Sequence, residues 1–381
     1  MSTKLSRRKF LQVSAAVAAG AAAMAVSGCA KPEEPAPPPV EETPETPDVT
    51  ETPDAPEVPE SIPAVIGYWG GTCETPIYVA FEKGYFEECG VAAEPLLITA
   101  GSAEPLANGE LDFFQATPNF FPMIKNGAGI KLIDNVHTGC IQGVAGAATG
   151  ITSVADLEGK TVGTFAAQDM GQIFLSSAMK NAGADHTKVN WVVNGGGPAT
   201  LAALFSGEID AFAHFDPYPE VATLLGATKI FNNAEDSPFS GYTCCFLAMN
   251  QLTLDKADGP ELARRVAKAF QMADEFIMAN PGEAAQIIQD GGYVASSEAM
   301  LQNFGYEAPS AEETIDIHER LLSSYYFGGG DKAAYDKSIR ANWDICNDAG
   351  ALDDAPADAA EYEAYVEDLV ALAGAWYGSD A

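Results

Sequence analysis

Two stretches of this 381-residue chain repeat one another: Leu106 to Phe114 reads LANGELDFF, and Leu204 to Phe212 reads LFSGEIDAF. The shared pattern L-x-x-G-E-[LI]-D-x-F recurs at an offset of 98 residues. Its physical content is a helix end, a glycine turn and a buried strand. Gly109 and Gly207 can take the left-handed conformation that closes a helix, and the apolar run after each is short enough for a strand. The chain is therefore built from two similar halves.

The likeness spreads outward from the motif. AVIGYWG (Ala64 to Gly70), a loop and the helical run TPIYVAFEKGYF open the first half; TVGTFA (Thr161 to Ala166), a loop and MGQIFLSSAMKNAG open the second. Each half then shows a second strand, AAEPLLIT near Leu96 and VNWVVN near Trp191. Each second strand leads into a Gly-bearing loop, Ala100-Gly101-Ser102 or Gly195-Gly196-Gly197. Strands alternating with helices predict an α/β fold with a mainly parallel sheet in each half. Open sheets of this kind bind ligands beyond the carboxyl ends of their strands, so two facing halves make a cleft. Superposing the repeats sets Gln115 to Pro118 opposite Ala213 to Asp216, and Trp69 to Glu74 opposite Ala166 to Asp169. Ancestry alone would leave these loops as ordinary turns, but they are rich in side chains that stack or hydrogen-bond. The candidate ligand-binding residues are Trp69, Thr72, Glu74, Ser102, Gln115, Thr117, Gln168, Asp169, His214, Asp216 and Tyr218.

The first 29 residues read as an address rather than as fold. Lys4, Arg7, Arg8 and Lys9 precede an uncharged, Ala-rich stretch from Leu11 to Val26. SRRKFLQ resembles a twin-arginine export signal, and Val26-Ser27-Gly28-Cys29 resembles a bacterial lipobox, which implies a lipid on Cys29. An uncleaved N-terminal anchor is the alternative; both place the protein outside the cytoplasm, on the extracytoplasmic face of the cell membrane. Residues 30–63 hold eleven of the 24 prolines, interleaved with Glu, Asp and Thr. Such a segment cannot bury a core and favours extension; at ~3.1 Å per residue it could span on the order of 100 Å as a disordered tether.

Roughly 320 residues remain, enough for two domains with real cores. Most of the formal charge of −34 falls on them. An acidic body without a basic patch excludes nucleic acid and anionic lipid surfaces as partners. Beyond Cys29 the cysteines are Cys73, Cys89, Cys140, Cys244, Cys245 and Cys346. No C-x-x-C occurs, and His137, His186, His214 and His318 are scattered, so no metal site, no cofactor and no catalytic group is expected. Buried free thiols are the expected state for most of the cysteines.

Taken in order, AVIGYWGGTCETPIYVAFEKGYFEECGV, LANGELDFFQATP, ITSVADLEGKTVGTF, LFSGEIDAFAHFDPYPE and ANPGEAAQII resemble the nitrate, sulfonate, taurine and thiamine-precursor group of periplasmic binding proteins with the type II fold. The resemblance covers roughly residues 64 to 290, and VADLEGKTVG is among its more specific pieces. It implies two doubly wound α/β lobes joined by a two-strand hinge, with added C-terminal helices. Lobe one would span 64–148 and lobe two 149–242, with crossings near Ala148 and Tyr242; 243–381 would return to lobe one. It also implies hinged closure on a small-molecule ligand and delivery to the permease subunits of an ABC transporter.

Ligand identity has to come from the residues. Between Arg8 and Arg264 there is no arginine, so the ligand loops lack the guanidinium fork suited to sulfonates and carboxylates. Backbone amides could still hold an anion. Glu74, Asp169 and Asp216 beside Trp69, His214, Phe215 and Tyr218 suit a flat, amine-bearing heterocycle such as a thiamine-type pyrimidine. Cys244-Cys245-Phe246 leaves an enzyme alternative open, because the eukaryotic thiamine-pyrimidine synthase of this fold has a longer iron-binding cysteine run in a comparable stretch. Here only two of those cysteines occur, the first lobe shows no matching lysine-histidine pair, and two small buried residues packed in a crossover strand are the favoured reading. A structural or adhesive surface protein would account for lipid and tether but not for the duplicated loops.

Overall fold

The computed structural model describes residues 61–99, 103–328 and 332–374. The export signal, Cys29, most of the tether and Ser102 lie outside the described residues. Four strands come first: β1 (Ile62–Tyr68), β2 (Val91–Leu97), β3 (Phe113–Ala116) and β4 (Ile130–Thr138). Five more follow: β5 (Ile141–Ala145), β6 (Thr161–Thr164), β7 (Asn190–Val193), β8 (Ala211–Phe215) and β9 (Thr228–Asn232). The chain then returns through β10 (Thr243–Asn250) and β11 (Tyr326–Phe327). One sheet has the order β11-β4-β10-β3-β1-β2, the other β7-β6-β8-β5-β9.

The two sheets are the same object built twice. β1 runs parallel to β2 and β3, as β6 runs parallel to β7 and β8. Beside β3 lies antiparallel β10, and beside β8 lies antiparallel β5. Inner strands covered on both faces read as apolar runs rather than alternations, and FFQA of β3 and TCCFLAMN of β10, each with a strand on either side, are buried throughout. Because β5 pairs within the second sheet, the chain changes sheet at 139–140 and not near Ala148; the expected boundary fell in the loop after β5. The return occurs between Asn232 and Thr243.

The repeated motif does structural work at each of its positions. Gly109 and Gly207 sit at φ +77° and +76°, and no neighbour would crowd a side chain at either, so backbone conformation alone calls for glycine there. The motif aspartate clasps the first strand of its own sheet. Asp112 accepts from Val65 N–H at 2.8 Å while its own N–H donates to Val65 O; Asp210 does the same with Thr161, again at 2.8 Å. Each pins the parallel register by a ring of hydrogen bonds, one of them charge-assisted.

Helices pack on the sheets and start where proline allows it. α1 (Thr75–Glu82), α2 (Met170–Asn181), α3 (Gly197–Ser206) and α4 (Tyr218–Leu224) follow β1, β6, β7 and β8. Pro76, Pro198 and Pro219 stand in the first turns of α1, α3 and α4, where no N–H is needed. α5 (Gly259–Ala279), α6 (Pro281–Gly291), α7 (Ala311–Ser324), α8 (Lys332–Asp348) and α9 (Ala359–Gly374) close the chain, mostly on the first sheet.

Asp210→Ala should lower unfolding free energy by about 1.5–3 kcal/mol, the worth of a hydrogen bond to a charged group. Asp112→Ala should cost more, because its other oxygen also accepts from Thr253 Oγ1 at 2.6 Å. Urea titration of both variants checks this, with ligand affinity expected to stay unchanged.

Candidate functional site

The loops at the carboxyl ends of β1, β6, β7 and β8 converge on a cavity of about 600 Å³ between the two sheets. Trp69, Met123 and Tyr293 wall it from the first-sheet side; Phe165, Phe215 and Tyr218 wall it from the second. Trp69 and Phe215 face each other across it with planes 16° apart and centroids 6.4 Å apart. Phe215 can approach the Trp69 loop because Gly71 is bare; a Cβ there would stand 2.8 Å from the Phe215 ring. Polar groups around the wall are Thr99, Glu104, Asn119, Gln168, Asp169 and His214, and among the described residues no lysine or arginine lines the cavity.

Each half-site is held open by a carboxylate turned inward on its own backbone. Glu74 accepts from the N–H groups of Trp69, Gly70 and Gly71 at 2.9, 2.7 and 3.0 Å. In the other half Asp169 caps α2 by accepting from Gln172 N–H at 2.8 Å, and also accepts from Phe165 N–H at 2.6 Å. Burial is the largest influence on both and raises both acids, Glu74 to about 7, against the opposing pull of these amides. Both carboxylates thus clamp the loop that presents an aromatic ring, Trp69 in one half and Phe165 in the other.

His214 is held in one tautomer. Its Nε2 accepts from Gly197 N–H at 3.2 Å and its Nδ1 faces Phe215 O at 3.1 Å, so the proton sits on Nδ1. Burial pushes its pKa down to about 4, leaving the ring neutral. The loop it anchors, Gly195 to Gly197, has positive φ at all three residues, and a Cβ on Gly196 would strike the Phe165 ring at 2.3 Å. Gln168 is the described non-glycine residue with positive φ, +56°, and it too stands at the cavity rim; such strain tends to gather at ligand loops.

Of the residues expected from sequence, the structure brings Trp69, Gln168, Asp169, His214 and Tyr218 to the cavity. Thr72, Glu74, Gln115, Thr117 and Asp216 are buried behind it. Thr117 Oγ1 donates to Asn119 Oδ1 at 2.5 Å and so orients a neighbour that does line the wall. Thr72 is bound to His318 through its hydroxyl and to Asp216 O through its N–H. Asn119, Phe165, Met123, Met170 and Tyr293 were not candidates. Asn119 lies one residue beyond the superposed loop; Tyr293 follows α6, outside the repeat, where no pattern pointed to it.

Asp216 requires the largest correction. Its carboxyl is completely buried, accepting from Gln142 Nε2 at 2.7 Å and from the Tyr325 hydroxyl at 2.5 Å. Gln142 belongs to β5 and Tyr325 directly precedes β11, so this acid ties the two sheets together rather than meeting a ligand. Burial pushes it up to about 8, with the Tyr325 bond opposing. The six described cysteines are free thiols, and only Cys89 is not buried. His137, Cys140, Cys244 and Cys245 form the group of described residues able to hold a metal ion; none of them lines the cavity.

Two α/β lobes of matching topology around an aromatic cleft define the periplasmic binding protein fold. The same fold appears in the alkanesulfonate-binding protein of Xanthomonas axonopodis pv. citri, bound to MOPS, which is 18% identical with a TM-score of 0.59 and covers 77% of this chain and 95% of that one. The periplasmic nitrate-binding protein of Synechocystis PCC 6803 is 16% identical with a TM-score of 0.58, over 83% of this chain and 89% of that one. A Brucella abortus protein named "Putative binding protein" is 29% identical over 237 residues, 60% of this chain and 70% of that one. The family described as NMT1/THI5 like matches residues 72–284, and this chain belongs to it.

Asp216→Ala should cost about 2–5 kcal/mol, because it strands the buried Gln142 amide and Tyr325 hydroxyl. Asp216→Asn separates the proton from the contact. A folded-state pKa raised from ~3.9 to about 8 means stability present below pH 4 that is lost as pH rises to 8. Thermal melts between pH 4 and 9 should show that decline in the native chain and a flatter profile in Asp216→Asn.

Proposed function

We propose that this protein is the extracytoplasmic solute-binding component of an ABC-type importer, and that its ligand is a flat, uncharged or cationic heteroaromatic compound. The observation that carries the ligand class is the aromatic cleft whose wall, among the described residues, holds no lysine or arginine. A sulfonate or nitrate there would have to rely on amides and neutral side chains alone. Trp69 and Phe215 stand nearly parallel with centroids 6.4 Å apart; a ring stacked on both needs about 7 Å between planes, so the two rings must part slightly to admit it. Trp69 Nε1–H is buried without an acceptor in the protein, which supports an acceptor atom on the ligand. Glu104, Asn119 and Gln168 are the polar groups assigned to the ligand's rim, with Asp169 and Tyr218 shaping the wall.

Binding rather than turnover is favoured because the thiol and imidazole atoms of Cys244, Cys245 and their neighbours do not open onto the cleft. An enzyme using Cys244 and Cys245 with iron would need them within reach of substrate. The structural relatives named above are binding proteins, and closure of the lobes on ligand, presented to permease subunits, is the mechanism assigned to this chain.

Calorimetric titration with amino-pyrimidines, thiazoles, taurine, alkanesulfonates and nitrate tests the ligand class. Heterocycles should bind, and Trp69→Ala or Phe215→Ala should weaken them roughly ten- to a hundredfold, the ~1–3 kcal/mol of a lost stacking partner. Tight binding of a sulfonate or of nitrate, with no heterocycle bound, would overturn the assignment.

The reading extends to the N-terminus: the VSGC string supports a lipid on Cys29, with the tether holding the lobes above the membrane. Intact mass of membrane-extracted protein should show cleavage before Cys29 plus a diacylglycerol adduct. Cys29→Ala should leave an unprocessed precursor or release the protein.

A further inference from the structure

Behind the cleft, where the chain passes from one sheet to the other, three thiols and an imidazole meet. His137 ends β4, Cys140 lies on the crossing itself, and Cys244 and Cys245 open β10 on the return. Their ligand atoms all lie within 4.8 Å of one another and the residues are 0–2% exposed. Cys140 Sγ stands 3.7 Å from Cys244 Sγ and 3.6 Å from Cys245 Sγ, and the latter two are 3.7 Å apart. His137 Nδ1 stands 3.8 Å from Cys244 Sγ.

These distances are those of thiols in contact; they exclude a formed disulfide and a bridged cluster, and they fit a single shared ion. A disulfide brings two sulfurs to about 2.05 Å. Thiolates ligating different irons of a cluster stand much farther apart, because inorganic sulfide lies between the metals. A single tetrahedral ion with Zn–S bonds of ~2.3 Å sets its thiolates about 3.8 Å apart, and a Zn–N bond of ~2.0 Å sets the nitrogen about 3.5 Å from each sulfur. The three S···S separations match one face of that tetrahedron; the imidazole nitrogen stands 3.8 Å from Cys244 Sγ and within 4.8 Å of the other two sulfurs.

We propose that His137, Cys140, Cys244 and Cys245 bind one zinc-class thiophilic cation that staples both hinge crossings together. Three soft thiolates and an imidazole select such an ion over calcium or magnesium. Four protein ligands leave no open position, which makes the site structural rather than catalytic. The surroundings fit that role. Metal-bound histidines commonly donate their second N–H to an oxygen. Gln115 stands against His137 Nε2, its amide nitrogen 3.4 Å away and its amide oxygen buried without a partner. A half-turn of that amide delivers the oxygen to the imidazole N–H. Tyr325 stacks on the same ring, centroids 5.4 Å apart and planes 21° apart, and fixes its orientation. Cys73 packs beside the four from the loop after β1 but is outside their mutual grouping.

The sequence spacing concealed this set, because its halves come from segments more than 100 residues apart, as the 104 between Cys140 and Cys244 shows. The test uses the full chain, purified reduced and without chelator. Elemental analysis should find one zinc per chain, and cobalt(II) exchanged into it should give thiolate charge-transfer bands and the visible bands of a tetrahedral ion. Cys140→Ser and Cys244→Ser should lose more than the roughly 10–100-fold in metal affinity that an outer-shell change costs; Cys346→Ser, a buried thiol elsewhere, should lose none. Chelator should lower the melting temperature of the native chain. A folded, fully reduced native chain that gives no cobalt–thiolate spectrum overturns the proposal, whatever the variants do. So does stoichiometric iron in place of zinc, or a mass two hydrogens short that maps to Cys140, Cys244 or Cys245.

Discussion

Each sheet of this protein completes itself with a strand that has just arrived from the other. The chain leaves the first sheet at Gly139–Cys140 and β5 immediately lies antiparallel beside β8; on the return it leaves the second sheet and β10 lies antiparallel beside β3. The hinge is therefore not a pair of free linkers. Its two strands are inner members of the sheets they enter, hydrogen-bonded on both sides. Any relative motion of the lobes must pivot on the few residues between those ladders.

The groups concentrated at that pivot follow from its burial. Asp216 reaches Gln142 on one side and Tyr325 on the other, and Asp216 N–H donates to Cys140 O at 3.1 Å. Thr72 N–H, from the first-sheet loop, donates to Asp216 O at 3.0 Å. Buried polar groups must be paired, and here the pairing is made across the sheets, so the pivot is fastened by the same bonds that satisfy it. The cleft lies directly in front of this layer. Its aromatic rings stand on loops clamped by Glu74 and Asp169, which turn their charge onto backbone amides instead of presenting it to a ligand. An acidic cleft in sequence becomes a largely apolar one in space.

How far the sequence carries can be judged residue by residue. The duplicated motif announced two lobes, because a helix stop, a turn and a buried strand impose local demands that any context must meet. Gly109, Gly207 and the paired aspartates occupy the equivalent positions it implied. Trp69, His214 and Tyr218 reached the cleft because they stand at or just beyond the carboxyl ends of β1 and β8.

Which way a side chain turns was a tertiary decision. Glu74, Asp169 and Asp216 have the composition of an amine-binding trio, but a carboxylate near unpaired N–H groups is stabilised by them more than by an open cavity. Nothing in local sequence says which amides will be free. The same holds for His137, Cys140, Cys244 and Cys245: the chain separates them widely, and only the double crossing brings their ligand atoms within 4.8 Å. Local rules of backbone and burial are written along the chain. The pairing of distant polar atoms depends on which strands become neighbours, and that is determined only when both sheets have formed.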